Sequence, residues 1–453
     1  MKPTTTDILP QGYKMTELGP LPEEWEVVQL ANKYIEFQNG LWKGKKEPYI
    51  NVRVLRNTNF NNDGTIDFDD VAELDVEQRN FKNREIIKDD IILERSGGGP
   101  TQPVGRVVFF EKNDQLRYSF SNFTSRIRVI DKLRIFPKYL FFYLLNFYYQ
   151  GKTNDIQNRT TGIRNLDFSK YKQISLPLPP LPEQQKIAAV LSAVQEAKEK
   201  TQAVIDATKT LKKSMMKHLF TYGPVSPEEA ANVPLKETEI GKVPEEWKII
   251  NLDEIINLKR GISWRKDEAN KEGIGIPVLG IPNIKENGKI DFTDTYFLTK
   301  KIPVDKMLRI NDILFVGSSG SIKNIGRNVF IREIQKNKFT YASFTFLGRV
   351  DPLKANTEYI FYLLNSPIVD YSKYARRASD GKYNFQLTQF KNEQKIPLPP
   401  LPVQQKIATI LSAIDAKIEA EENKKQALED LFKTLLHNLM TAKIRVTAIH
   451  DLP

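Results

Sequence analysis

Leu176-Pro177-Leu178-Pro179-Pro180-Leu181-Pro182-Glu183-Gln184-Gln185-Lys186-Ile187 returns, 220 residues later, as Ile396-Pro397-Leu398-Pro399-Pro400-Leu401-Pro402-Val403-Gln404-Gln405-Lys406-Ile407. A proline ladder that opens directly into a long helix is uncommon even once. Long helix-forming sequence follows both ladders, and proline just before it is a start signal. A chain that writes this boundary twice is built from two copies of one plan.

Other anchors repeat at nearly constant offset. Leu18-Gly19-Pro20-Leu21-Pro22-Glu23-Glu24-Trp25 matches Ile240-Gly241-Lys242-Val243-Pro244-Glu245-Glu246-Trp247, and Trp42 pairs with Trp264. Asn59, Gly64, Ile66, Asp67 and Phe68 align with Asn283, Gly288, Ile290, Asp291 and Phe292; Asp90 to Leu93 align with Asp312 to Phe315. Tyr139 to Asn146 align with Tyr359 to Asn365. Between these anchors the copies agree only at scattered points, so one scaffold carries two different faces.

After the first ladder, Ile187, Val190, Val194, Ala197, Thr201, Val204, Thr208, Leu211, Met215 and His218 alternate in gaps of three and four. The second helix shows Ile407, Ile410, Ile414, Ile418, Leu428, Leu431, Leu435 and Leu439 around a polar middle, Glu419 to Gln426. Both are heptad seams. Each run predicts a helix of about 55 Å at 1.5 Å per residue. The second helix is expected to bury its seam by running back antiparallel to the first, with a globular unit at either end: a ruler.

Short β-rich runs (Ile91–Leu93, Val104–Phe110, Arg126–Ile130, Ile313–Val316, Thr345–Val350) and one aromatic helix per copy (137–150, 356–375) give a mixed α/β composition. The aromatic stripes read as core packing. The expected fold is α/β (α+β): two tandem mixed α/β domains, separated by two long antiparallel coiled-coil helices, with a pseudo-two-fold internal repeat. The expected segments are 1–20, a first domain at 21–182, a helix at 183–220, a linker at 221–244, a second domain at 245–402, a helix at 403–441 and a tail at 442–453.

The formal charge is +11, of which the two helical segments contribute +3 and −1, leaving +9 elsewhere. A positive excess in two repeated units points to phosphate attraction. Zero cysteines exclude disulfides and thiolate chemistry, and three histidines make a histidine metal site improbable. The longest oily stretch, Tyr139 to Tyr149, is too short for a bilayer. No charged-then-apolar segment opens the chain, so cytoplasmic localisation and no membrane contact are expected. Neither a glycine-rich cofactor loop, an Asp/Asn-Pro-Pro-Tyr/Phe run nor a Walker-type loop occurs, so no catalysis is expected. Ser96-Gly97-Gly98-Gly99-Pro100 and Gly317-Ser318-Ser319-Gly320-Ser321 read as flexible turns, or as backbone able to approach a phosphate. The cluster Asp67, Asp69, Asp70 reads as solvated acids rather than a metal site, because the second copy does not reproduce it.

Arginine pairs with guanine O6/N7 and Asn or Gln with adenine N7/N6, so DNA-contacting candidates are sought in loops that differ between copies. These are Arg95, Gln102, Arg106, Arg126, Arg159 and Arg164, then Lys323, Asn324, Arg327, Arg376, Arg377, Lys382 and Asn384. Arg106 and Arg327 each follow a glycine, which suggests a shared structural or backbone-phosphate role.

The paired Leu-Pro-Pro-Leu-Pro-x-Gln-Gln-x-Ile-Ala blocks, the Gly-x-x-Pro-Glu-Glu-Trp openings and the block from Leu211 to Gly223 resemble the specificity subunits of type I restriction–modification systems, over essentially the whole chain. The resemblance implies two target recognition domains that each read half of a split DNA sequence. It implies helices that act as spacer and dock two adenine-N6 methyltransferase (M) subunits, which restriction (R) subunits then join. It further implies no catalytic residues and no cofactor in this chain, with S-adenosylmethionine, ATP and Mg held by partner subunits. The first helix lacks the short tandem repeat that adjusts spacer length in some members. Two rival readings are a non-DNA coiled-coil adaptor joining protein-binding modules and a standalone DNA-modifying enzyme.

Overall fold

A computed structural model describes residues 9–41, 44, 46–99, 102–160, 163–285, 288–334 and 338–446. The chain forms two compact units, one of Met1–Thr201 with Asn423–Pro453, the other of Gln202–Glu422. Trp42 and Pro100 lie outside the described residues.

Both units are built around an antiparallel four-stranded sheet of the same order. In the first it runs Ile35–Asn39, Thr124–Val129, Ile91–Glu94, Val107–Phe109; in the second Ile256–Arg260, Thr345–Val350, Ile313–Val316, Asn328–Phe330. The central strands Ile91–Glu94 and Ile313–Val316 are buried along their whole length. That explains unbroken apolar runs where a half-exposed strand would alternate. A second sheet pairs Tyr49–Leu55 with Ala72–Glu77 and, in parallel, Tyr118–Phe120; its counterpart pairs Ile276–Leu279 with Tyr296–Leu298 and, in parallel, Thr340–Tyr341.

The aromatic helix of the first unit, Pro137–Tyr149, is buried from Tyr139 to Asn146, and Phe141 packs on Phe109 with ring centroids 5.3 Å apart. Its counterpart, Thr357–Leu364, is much shorter than the 356–375 expected. Pro367 lacks the N–H for another helical turn and disfavours helical backbone at Ser366, and Tyr371–Tyr374 forms only a 3-10 turn.

The ladders are strands. Ser175–Leu178 pairs with Glu26–Gln29, and Lys395–Leu398 with Lys248–Asn251, in two-stranded sheets that tolerate proline. The helices Leu181–Tyr222 and Leu401–Met440 begin immediately after Pro180 and Pro400. The first glutamine of each motif is the latch. Gln184 is fully buried, donates to the Pro179 (2.8 Å) and Arg134 (3.1 Å) carbonyls and accepts from the Phe136 N–H at 2.8 Å. Gln404 donates to the Pro399 carbonyl at 2.7 Å and accepts from the Asn356 N–H at 2.8 Å. Tyr139 and Tyr359 hydroxyls donate to the Pro177 and Pro397 carbonyls at 2.7 and 2.9 Å. The repeated motif is a lock that ties ladder, aromatic helix and long helix together.

Antiparallel pairing of the long helices occurs inside each unit. In the first, Arg445 clasps Glu183 at 2.7 and 2.9 Å, while Lys198 lies 5.5 Å from the Phe432 ring. In the second, Lys209 pairs with Glu422 at 2.9 Å and Lys212 with Asp415 at 2.6 Å. The seam departs from the expected one. Val204, Leu211 and Leu431 are exposed, whereas Ile205, Met216, Phe432 and Leu436 are buried. A straight helix drifts about 20° per heptad against a 3.5-residue repeat, so the buried line steps to the next residue.

Candidate nucleic-acid interface

The buried central strand of each main sheet leads into the glycine- or serine-rich segment. These segments are strands rather than flexible turns. Ser96–Gly98 and Ser318–Ser319 each form the edge of a small antiparallel sheet. A Cβ on Gly98 would lie 2.7 Å from the Gln102 carbonyl oxygen, so glycine is needed for this close return of the chain.

The rest of each small sheet is a hairpin. In the first unit Gln157–Thr160 pairs with Ile163–Leu166, with Arg159 opposite Arg164 and Arg164 opposite Gly98. In the second, Ala375–Arg377 pairs with Tyr383–Phe385, with Arg376 opposite Asn384 and Asn384 opposite Ser318. Lys382 sits in the hairpin turn, and Lys323 and Asn324 follow the serine strand in a 3-10 turn. Candidates scattered over the second copy of the sequence therefore converge on one sheet and its flanking loop. Lys323, Arg376, Arg377, Lys382 and Asn384 are exposed. Of these, Lys323, Arg376 and Arg377 have no side-chain partner among the described residues, while Lys382 lies 3.7 Å from Asp380. The side chain of Arg159 lies outside the described residues; Arg164 is half-buried.

Three candidates of the first unit are committed elsewhere. Arg106 is 9% exposed and makes a two-pronged pair with Glu94, 2.8 Å on each arm, and also donates to the Phe60 carbonyl at 2.7 Å. Exposed Gln102, with its amide oxygen turned inward, accepts from the same guanidinium at 2.9 and 3.1 Å. Arg126 is buried, donates to the Glu85 carbonyl at 2.7 Å and pairs with Glu36 at 2.8 Å; burial holds it below the usual arginine range. These arginines brace the sheet: contrary to expectation, both guanidinium groups are buried and paired inside the unit rather than displayed on the small sheet, although Arg126 Nε has no partner among the described residues. Arg95 is intermediate, donating to Asn39 at 2.7 Å with its guanidinium 4.4 Å from the Phe168 ring centroid.

The shared role expected for Arg106 and Arg327 also divides. Both follow a left-handed glycine whose hypothetical Cβ would strike a neighbour: Gly105 meets Thr153 at 2.6 Å and Gly326 meets Tyr371 at 2.2 Å. Val316 stands where the first unit has Glu94, so Arg327 lacks that anion; it is half-buried and donates to Asn324 at 3.3 Å.

The Asp67 loop has a structural role. Asp67 and Asp291 each accept the N–H two residues on, at 2.9 Å, and buried Asn59 and Asn283 bridge the same loop. Sequence reading missed Asn165, which the hairpin places beside Arg164; Ser96 donates to Asn165 at 2.6 Å. The Thr161-Gly162 and Asp380-Gly381 turn pairs were the available signal.

The type I restriction modification DNA specificity domain matches residues 22–207 and 244–430, once for each copy of the repeat. The chain belongs to that family. A similar protein is the type I restriction enzyme MjaVIII specificity subunit of Methanocaldococcus jannaschii, 28% identical over 94% of this chain and 94% of the relative. The fold resembles that of the type I restriction-modification S subunit from M. genitalium: TM-score 0.56, 17% identity, covering 92% of this chain and 96% of the other. It also resembles a chain from a study of type I R-M complex assembly and conformational transition: TM-score 0.54, 16% identity, 93% and 98% covered. This type I specificity subunit thus has DNA target recognition as its family role. No helix among its described residues is long and apolar enough to cross a membrane.

Proposed function

We propose that each unit reads one half of a bipartite duplex DNA target through its small sheet and the loops beside it. In this reading the paired long helices set the distance between half-sites and dock two adenine-N6 methyltransferase subunits, through which restriction subunits join. The chain itself holds no cofactor; S-adenosylmethionine, ATP and Mg belong to the partner subunits. One observation carries the reading: the same edge-strand-plus-hairpin sheet is built twice on a main sheet of the same strand order, and the basic residues on it differ between copies. Arg376, Arg377 and Lys323 are available to phosphates and guanine edges in the second unit.

The experiment is duplex binding by the full chain across a salt series. A slope of log K against log salt of about −0.9 per neutralised phosphate is expected, and Arg376→Ala with Arg377→Ala flattens it by about one per lost contact. Affinity that ignores salt supports a protein-binding adaptor instead. The chain alone neither methylates nor cleaves; adenine methylation by this chain with S-adenosylmethionine alone overturns the reading.

A further inference from the structure

The chain has 25 phenylalanines, all among the described residues, and only two are exposed: Phe123 (47%) and Phe344 (63%). They occupy the same place in the repeat. Asn122-Phe123-Thr124 and Ser343-Phe344-Thr345 are the turns that lead into the second strand of each main sheet.

Both turns are held rigidly from behind. Thr124 donates its N–H and hydroxyl to the Ser121 carbonyl at 2.9 and 2.7 Å, and Thr345 does the same to Ala342 at the same distances. A Cβ on Gly40 or Gly261 would lie 1.8 Å from the Ser121 or 2.1 Å from the Ala342 carbonyl oxygen, so a glycine just past the first main-sheet strand closes the back of each turn. The phenylalanine carbonyls tie each turn to the small sheet. Phe123 accepts from the N–H of Arg95 (2.8 Å) and Ser96 (3.2 Å), and Phe344 from that of Gly317 (2.8 Å). Gly317 precedes Ser318, which lies opposite Asn384, itself opposite Arg376. Each unit therefore displays one exposed phenylalanine ring, on a fixed stem, beside the sheet that carries its basic residues.

An exposed ring on a braced turn gives up burial that the other 23 obtain. A cation-bearing neighbourhood favours a polyanion as what covers it, and duplex DNA is the polyanion with an apolar interior that a ring can enter. We infer that Phe123 and Phe344 are wedges, one per half-site, each entering a base step and loosening its stack. This rests on the DNA-reading assignment above and adds residues that act through base stacking, not charge.

The test uses the full chain and a duplex selected by that chain from a random-sequence pool, with 2-aminopurine placed at successive steps of each half-site. Phe344→Ala weakens binding to the selected duplex roughly 5- to 150-fold, the range seen for losing an aromatic–base stack. It leaves the salt slope unchanged and abolishes the 2-aminopurine fluorescence rise in one half-site only; Phe123→Ala does so in the other. Phe344→Trp retains both properties, and melting temperatures stay at the wild-type value because the side chains are exposed. Wild-type affinity and fluorescence in both alanine variants, alongside weakened binding by Arg376→Ala, overturn the wedge and leave the DNA reading standing. Loss of methyltransferase-subunit binding with duplex binding intact assigns the rings to a protein contact and also overturns it. Absence of any salt-sensitive duplex binding sinks both readings together.

Discussion

At the scale of single residues, the decisive contrast is between buried and displayed arginines. Arg106 is raised above the ordinary arginine range despite burial, because Glu94 binds it on both arms. Arg106→Ala leaves the Glu94 carboxylate buried and unpaired, and should cost the first unit about 3–5 kcal/mol in chemical denaturation. Arg327→Ala removes a 3.3 Å bond to Asn324 and strands no carboxylate at Val316, so it should cost the second unit less than Arg106→Ala costs the first. Equal losses would mean that the two glycine–arginine pairs share one role. A second residue-level expectation concerns pH. Burial, with Lys443 and Lys152 nearby, holds the His437 imidazole below its ordinary 6.5. Its folded pKa is depressed, so its contribution to stability is complete above 6.5 and is lost as pH falls through the folded value. An NMR titration of the histidine ring signals should show His437 protonating below pH 6.5; a midpoint above that removes the argument.

At the scale of elements, the ladder and its glutamine do more than start a helix. Gln184 and Gln404 satisfy backbone groups of the ladder and the aromatic helix at once, so truncating either leaves buried groups unpaired. Gln404→Ala should destabilise the second unit by about 1–3 kcal/mol per orphaned group, measured by urea denaturation, with little effect from Gln405→Ala on the exposed side. The small sheets are a different kind of element, anchored to the framework by an edge strand and by one buried hairpin residue each, Leu166 and Phe385. Replacing residues 245–395 with another recognition unit should change one half of the DNA target, read by mapping methylated adenines. A change in both halves would show that the two units do not read independently. The ladders, latches and main-sheet strands were legible because they obey local rules: proline placement, unbroken apolar runs, fixed offsets. The small sheets were not, since Ser96–Gly98 has no strand propensity of its own and forms only because a distant hairpin pairs with it.

At the scale of the whole molecule, each unit recruits parts of both long helices. Phe432, Leu436 and Met440 belong to the core of the first unit, together with Ile187 and Leu191, while Met216 and Phe220 join Ile407 and Leu411 in the second. Under the proposed spacer role, a seven-residue insertion near Thr201–Thr208, matched in the second helix, adds about 10 Å at 1.5 Å per residue. That should lengthen the gap between half-sites by about three base pairs without altering either half-site sequence. Unchanged spacing in the methylation map would remove the ruler.

The duplication, the two long helices and the excess positive charge follow from the amino-acid order alone, because repeats, heptads and net charge are properties of residues near one another in the chain. Which arginines are free was decided only by folding. Glu94 and Arg106 are 12 residues apart and meet across two strands, whereas Arg327, with Val316 at the place of Glu94, donates to Asn324 instead. The membership of the units was likewise a tertiary outcome: a helical seam has no preference for its own end of the chain, and buries against whichever apolar face the fold brings to it.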